Sequence, residues 1–122
     1  MSDRHLFRGK WAGEWYYGGY YAVQHESLLM HYITTLSGGR FDINPATIGQ
    51  CTGLTDKNGK LIFEGDIVQW EYKGCKENGI VKWDSYKWII TITHIPYVEW
   101  TLETGRANTC VVIGSVHDNL DF

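Results

Sequence analysis

Proline is scarce in this sequence, with only Pro45 and Pro96 among 122 residues. Cysteine is scarce too: Cys51, Cys75 and Cys110 are widely spaced, and no C-x-x-C pair occurs. An odd count at such spacings fits neither a disulfide framework nor a zinc ribbon, because tetrahedral zinc sites usually show a close ligand pair. Joining these thiols to His94 or His117 in a zinc site is correspondingly disfavoured against idle, reduced cysteines. Apolar runs such as Trp88-Ile89-Ile90 fall far short of the roughly 20 residues that span a bilayer. No signal-peptide core follows Met1-Ser2-Asp3-Arg4-His5-Leu6-Phe7-Arg8. The expectation is a cytoplasmic protein with no membrane role. Positive charge is not in excess either: 11 Lys+Arg face 14 Asp+Glu, a net charge of −3. That balance counts against a strongly electrostatic nucleic-acid binder, without ruling out a local basic patch.

What is present is glycine, at 14 residues, and aromatic surface, with six Trp and eight Tyr. A hydrophobic fraction of 43% and this length allow one domain with its own core, and exclude a disordered or collagen-like chain. Many turn signals with few helix signals point to a mainly β protein. From residue 47 the punctuation is regular. Asn58-Gly59 is a strong hairpin signal, and Glu64-Gly65-Asp66 forms a second break. Val68, Trp70 and Tyr72 then alternate with Gln69 and Glu71, as in a half-buried strand. Lys73 to Gly79 reads as the next turn, Ile80 to Trp83 as a strand, and Trp88 to Thr93 as another dense in β-branched residues. Residues 94–109 read as a protruding loop or irregular hairpin, and Cys110 to Val116 as a closing strand. After it, 117–120 has room for one helical turn. Five or so short strands from 47 to 116 suggest a small barrel, whose closure removes aggregation-prone edges.

The first 45 residues differ. Trp11, Trp15, Tyr16, Tyr17, Tyr20 and Tyr21 surround Gly18-Gly19, where a hairpin turn is the simple account. Residues 23–36 fit a helical stripe (Leu29, Tyr32, Ile33, Leu36) or an alternating strand (Leu28, Met30, Tyr32), and Ile33-Thr34-Thr35 tilts the balance to strand. The organisation expected is an N-terminal aromatic-rich unit, 1–45, β-rich or α+β, and a barrel unit, 46–122, within one module.

Candidate chemistry is sparse. Glu64 and Asp66 would share a strand face, but an Asp beside Gly in a bend ordinarily accepts nearby backbone N–H bonds. Asp66, Glu71 and Lys73 imitate the acid and E-x-K arrangement of metal-dependent nucleases, although the acids lie only five residues apart. No histidine pair has metal-ligand spacing, and no phosphate-binding glycine loop or hydrolase elbow occurs. No cofactor, metal or catalytic residue is therefore assigned. Trp11, Trp15, Tyr17, Tyr20 and Tyr21, flanked by Arg4, Arg8 and Lys10, form a candidate partner or self-association surface. Base stacking is the lesser alternative for these rings.

The run Thr47-Ile48-Gly49-Gln50-Cys51-Thr52-Gly53-Leu54-Thr55-Asp56-Lys57-Asn58-Gly59-Lys60-Leu61-Ile62-Phe63-Glu64-Gly65-Asp66-Ile67-Val68 resembles the signature of YopX-like proteins of phages and prophages in Gram-positive bacteria. Phe7-Arg8-Gly9 and Trp15-Tyr16-Tyr17-Gly18 look like that family's opening. Val112-Ile113-Gly114-Ser115-Val116-His117-Asp118-Asn119 looks like its closing strand, departing from it at Ser115 and His117-Asp118. The resemblance implies a mostly β protein whose C-terminal half is SH3-like. It implies phage origin and no established activity. Gly49, Gln50, Thr52, Gly53, Asp56, Asn58, Gly59, Glu64, Gly65 and Asp66 are then signature residues with a structural account. The expected function is a non-enzymatic accessory module that binds a partner or forms a homo-oligomer in the bacterial host cell. A nucleic-acid-binding barrel is the first alternative and a metal-dependent nuclease the second.

Overall fold

A computed structural model describes residues 6–95 and 98–118. The chain divides into two compact units, Met1–Cys51 and Thr52–Phe122. Two antiparallel sheets carry the fold, neither closed into a barrel.

The N-terminal unit contains β1 (Phe7–Trp11), β2 (Glu14–His25), β3 (Leu28–Thr34), β4 (Arg40–Asp42) and the first part of β5 (Asn44–Thr55), side by side in the order β4-β3-β2-β1-β5. The division between the units falls within β5, between Cys51 and Thr52. The ambiguous 23–36 segment is strand rather than helix, as the β-branched residues favoured, but it is the end of β2 and the whole of β3 separated by a turn at Glu26-Ser27. The hairpin turn expected at Gly18-Gly19 is not there. The chain turns at Ala12-Gly13, both at positive φ (52° and 82°), and the two later glycines lie inside β2. Gly18 is needed for close approach instead. A Cβ there would sit 2.0 Å from the Thr34 carbonyl oxygen, so the crossing of β2 past the end of β3 admits no side chain. Pro45 is tolerated because β5 begins irregularly. The Lys10 N–H donates to Thr47 Oγ1 at 2.8 Å, beside a register shift between Arg8 and Lys10.

The C-terminal unit holds the end of β5, β6 (Leu61–Phe63) beside it, and a five-stranded sheet. That sheet consists of β7 (Asp66–Tyr72), β8 (Cys75–Asp84), β9 (Lys87–Ile92), β10 (Glu99–Thr101) and β11 (Val111–Ser115), in the order β10-β9-β8-β7-β11. The period of two in β7 works as expected, with Asp66, Val68 and Trp70 buried and Ile67 and Gln69 half-buried between them. Ile62, Val68, Trp70, Val81, Ile90, Ile92, Leu102, Ala107 and Cys110 pack into one core. Each such side chain contributes on the order of 1.5–3 kcal/mol of transfer free energy.

Two expectations for this unit need correction. The turn predicted over Lys73 to Gly79 is only Lys73-Gly74, and Cys75 to Gly79 belongs to β8. Gly79 serves packing, since a Cβ there would meet Ile90 Cγ2 at 2.1 Å. The segment after His94 is an irregular hairpin rather than a protruding loop, with Glu99 to Thr101 paired antiparallel to β9. It supplies β10 and a short helix, α1 (Thr104–Ala107), and places Leu102, Ala107 and Cys110 in the core. Pro96, which figured in that expectation, lies outside the described residues, as do Arg4 and the end of the 117–120 tail.

Candidate functional site: the aromatic sheet of the N-terminal unit

Residues directly opposite in an antiparallel pair share a face, so the register sorts the rings. Arg8 pairs with Tyr17 and Lys10 with Trp15. Tyr21 pairs with Tyr32, and Thr34 with Arg40. One face therefore carries Trp15, Tyr17, Tyr21 and Tyr32 together with Arg8, Lys10 and Arg40. The cations lie over the rings: Arg8 at 4.2 Å and Lys10 at 5.0 Å from Trp15, and Arg40 at 4.6 Å from Tyr32. Tyr21 and Tyr32 stack at 5.4 Å. Tyr17 and Tyr21 remain 43% and 37% exposed, so rings reach solvent on this face.

The opposite face carries Phe7, Trp11, Tyr16, Tyr20, His31 and Phe41. Tyr16 stacks on Phe41 at 3.9 Å, with Trp11 edge-on to Tyr16 at 6.2 Å. Tyr20 stacks on His31 and shares a 2.7 Å hydrogen bond with its Nδ1. Ile33 and Ile43 are buried in the same unit. The five rings singled out from sequence are thus divided. Trp15, Tyr17 and Tyr21 share the cation-bearing face, while Trp11 and Tyr20 belong to the ring cluster on the other. Sequence reasoning missed Tyr32 and Arg40. Alternation in β3 could have paired Tyr32 with Tyr21, but nothing local marks the three-residue β4 that brings Arg40.

The signature residues do a different job. Gly49 and Gln50 pair with Arg8 and Phe7 in the N-terminal unit. In the C-terminal unit, Thr52 Oγ1 donates to the Ile62 carbonyl at 2.8 Å and accepts the Leu54 N–H at 3.0 Å. Gly53 continues β5 at positive φ. Asp56 ties the Asn58-Gly59 turn: its Oδ1 accepts the N–H groups of Asn58 and Lys60, each at 2.9 Å, and its Oδ2 accepts that of Val112 at 3.0 Å. Burial alone would raise the Asp56 carboxyl, but the Val112, Lys60 and Asn58 N–H groups and the Lys60 charge outweigh it and hold the group below its ordinary value. Beyond Glu64 the second break follows the expected pattern. Asp66 Oδ2 accepts the Phe63 N–H at 2.7 Å, and Gly65 bonds to both Val81 and Val116. These are carboxylates that organise backbone.

The nuclease-like constellation is not assembled. Asp66 and Glu71 are an odd number of residues apart on one strand, so they occupy opposite faces, roughly 16 Å apart along it. Lys73 lies in the turn beyond. A cavity of about 410 Å³ is lined by Glu71, Gln69, Trp70, Lys57, Lys76 and Thr109, and Asp66 is not part of it. Among the described residues no three His, Cys, Asp or Glu side chains are grouped to hold a metal ion. Cys110 is buried, its thiol bonded to the Ala107 carbonyl, and burial together with nearby Asp56 pushes its pKa to about 11. No described helix is long and apolar enough to cross a membrane.

Compared with known protein families, residues 7–121 match the family described as "YopX protein". No curated protein matches the chain.

Proposed function

The chain belongs to the YopX family, and from that premise we propose that it is a non-enzymatic phage or prophage accessory module of the host cytoplasm, acting by binding a partner or further copies of itself. The observation that carries this reading is the N-terminal sheet, which leaves rings and aliphatic side chains in solvent on a rigid β scaffold. Exposed apolar surface of this kind is what recognition uses. The C-terminal unit supports the reading as scaffold. Its β7-to-β10 meander, with β11 returning beside β7, supports an SH3-like kinship. Its Asp56 and Asp66 carboxylates are engaged in turns.

Nucleic acid is the second reading, favoured by one observation: Arg40 and Lys10 lie over rings of the exposed face, as cations do on base-stacking platforms. The test sets the purified chain against single- and double-stranded DNA with Mg²⁺ or Mn²⁺. The proposal expects no cleavage. Metal-dependent cleavage abolished by Glu71→Ala would overturn it, and salt-sensitive binding without cleavage would move it to the second reading.

A further inference from the structure

We propose that Asn58-Gly59 is a site of spontaneous covalent modification, and that its conversion loosens the clamp between this turn and β11. The inference goes beyond the binding-module reading and stands whichever partner the chain takes.

An asparagine followed by glycine carries its own nucleophile. The glycine amide nitrogen attacks the asparagine side-chain carbonyl carbon, and glycine hinders that approach least because it has no Cβ. The new N–Cγ bond closes a succinimide ring as the Cγ–Nδ2 bond breaks. The amide proton passes to solvent base, and the leaving nitrogen takes a proton from water and departs as ammonia. A second water then opens the ring. Breaking the N–Cγ bond gives aspartate. Breaking the bond from that nitrogen to the main-chain carbonyl carbon gives isoaspartate, whose backbone runs through the former side chain. The sum is asparagine plus water to acid plus ammonia, with no change of oxidation state.

The sequence holds two such pairs, Asn58-Gly59 and Asn78-Gly79, and the fold treats them oppositely. Asn58 and Gly59 are exposed in the turn between β5 and β6. A Cβ on Gly59 would meet nothing within 4 Å, so the ring has room to close. The Gly59 N–H donates to the Asp56 carbonyl at 3.0 Å, so the nitrogen is released by the opening of this one turn. Gly79 is buried within β8, where a Cβ would meet Ile90 Cγ2 at 2.1 Å and the Trp70 ring at 3.1 Å. Asn78 is fixed as well. Its Oδ1 accepts from Gln69 Nε2 at 3.0 Å, and its carbonyl accepts the Thr93 N–H at 3.0 Å. Reaction there needs the sheet to come apart.

The position of Asn58 gives the reaction its consequence. Asp56 Oδ1 holds N–H groups on both sides of the reacting peptide link, those of Asn58 and Lys60, while its Oδ2 holds that of Val112 in β11. The Lys57 N–H reaches the Cys110 carbonyl at 3.0 Å, so the turn and the approach to β11 are tied twice. An isoaspartyl link adds one carbon to the backbone between the Asn58 and Lys60 N–H groups and takes them out of register with a single carboxylate oxygen. Either product also places a new negative charge two residues from Asp56, and like charges repel.

The test incubates the full chain for weeks at mildly alkaline pH and follows both pairs by peptide mapping with mass spectrometry, beside a sample held in denaturant. In the folded chain, conversion at Asn58 should outpace that at Asn78 by about tenfold or more, because a surface turn opens far more often than the middle of a sheet. In denaturant the two pairs should convert at similar rates. Converted protein, separated by its added negative charge on an anion exchanger, should melt a few degrees below the unconverted fraction. An Asn58→Ser chain incubated alongside should keep its melting temperature. Survival of Asn58 in the folded chain, with conversion only in denaturant, overturns the site. Equal rates at both pairs in the folded chain overturn it too, since global unfolding is then the route. Converted protein that melts like the parent overturns the clamp, as does an Asn58→Ser chain that loses stability as fast as the parent.

Discussion

The two units dispose of their hydrophobic residues in opposite ways. In the C-terminal unit, Ile62, Val68, Val81, Ile90 and Cys110 are wholly enclosed, and the surrounding turns are tied by Asp56 and Asp66. In the N-terminal unit two isoleucines are buried, while the β2–β3 hairpin leaves Val23, Leu28 and Leu29 in water. A unit with an enclosed core satisfies most of its apolar surface, although Tyr72, Trp83, Tyr86 and Ile113 still reach solvent on it. A unit that stays open needs something else to cover it, and recognition follows from that need. The contrast is one of energetics, and substitutions on either side can break it.

The largest expected effect is on the closed side. Ile90→Ala should cost about 3 kcal/mol in chemical denaturation, through lost transfer and a cavity. Leu28→Ser, an equally drastic change of polarity on the open side, should stay within about 0.5 kcal/mol for the monomer. Similar losses from the two would erase the distinction.

Next comes Asp56→Asn, expected to cost about 2 kcal/mol, because an amide cannot accept all three N–H bonds in place. The pH dependence sharpens the point. The folded carboxyl titrates below its ordinary 3.8, so its stabilising contribution is complete above that value and is lost as the pH falls through the folded value. Denaturant midpoints between about pH 5 and pH 2 should show an acid limb that Asp56→Asn flattens. A variant with the parent's slope would remove Asp56 from the account.

The smallest effect leaves stability untouched. Cys75 is exposed and should react with a thiol reagent at neutral pH, while buried Cys110, with its pKa near 11, should react only on unfolding. Rapid modification of Cys110 in the native chain would show that the core is not closed.

The legible parts of the fold were those governed by local rules. The alternation of Val68, Trp70 and Tyr72, the Asn58-Gly59 turn and the bend at Asp66 all follow from short-range chemistry. Gly18 and Gly79 were misleading because glycine answers two needs. Both resemble turn residues in sequence, yet both are mid-strand positions where a distant element presses on the backbone: Thr34 in one case, Ile90 in the other. Their meaning is tertiary. The same holds for the candidate site. The rings were visible, but their division between two faces depends on register, and register was set by a turn at Ala12-Gly13 rather than at Gly18-Gly19. Leu102, Ala107 and Cys110 escaped notice as a group because Leu102 and Cys110 enter the core from irregular backbone and Ala107 from a single helical turn, with no period to betray them.

Hydrogen exchange read by mass spectrometry, at dilute and at concentrated protein, tests the contrast most directly. The account predicts that amides of Val68, Val81 and Ile90 exchange slowly and identically at both concentrations. Amides from Tyr20 to Met30 should exchange fast when dilute. Protection of the β2–β3 hairpin equal to that of the core in dilute protein would contradict it.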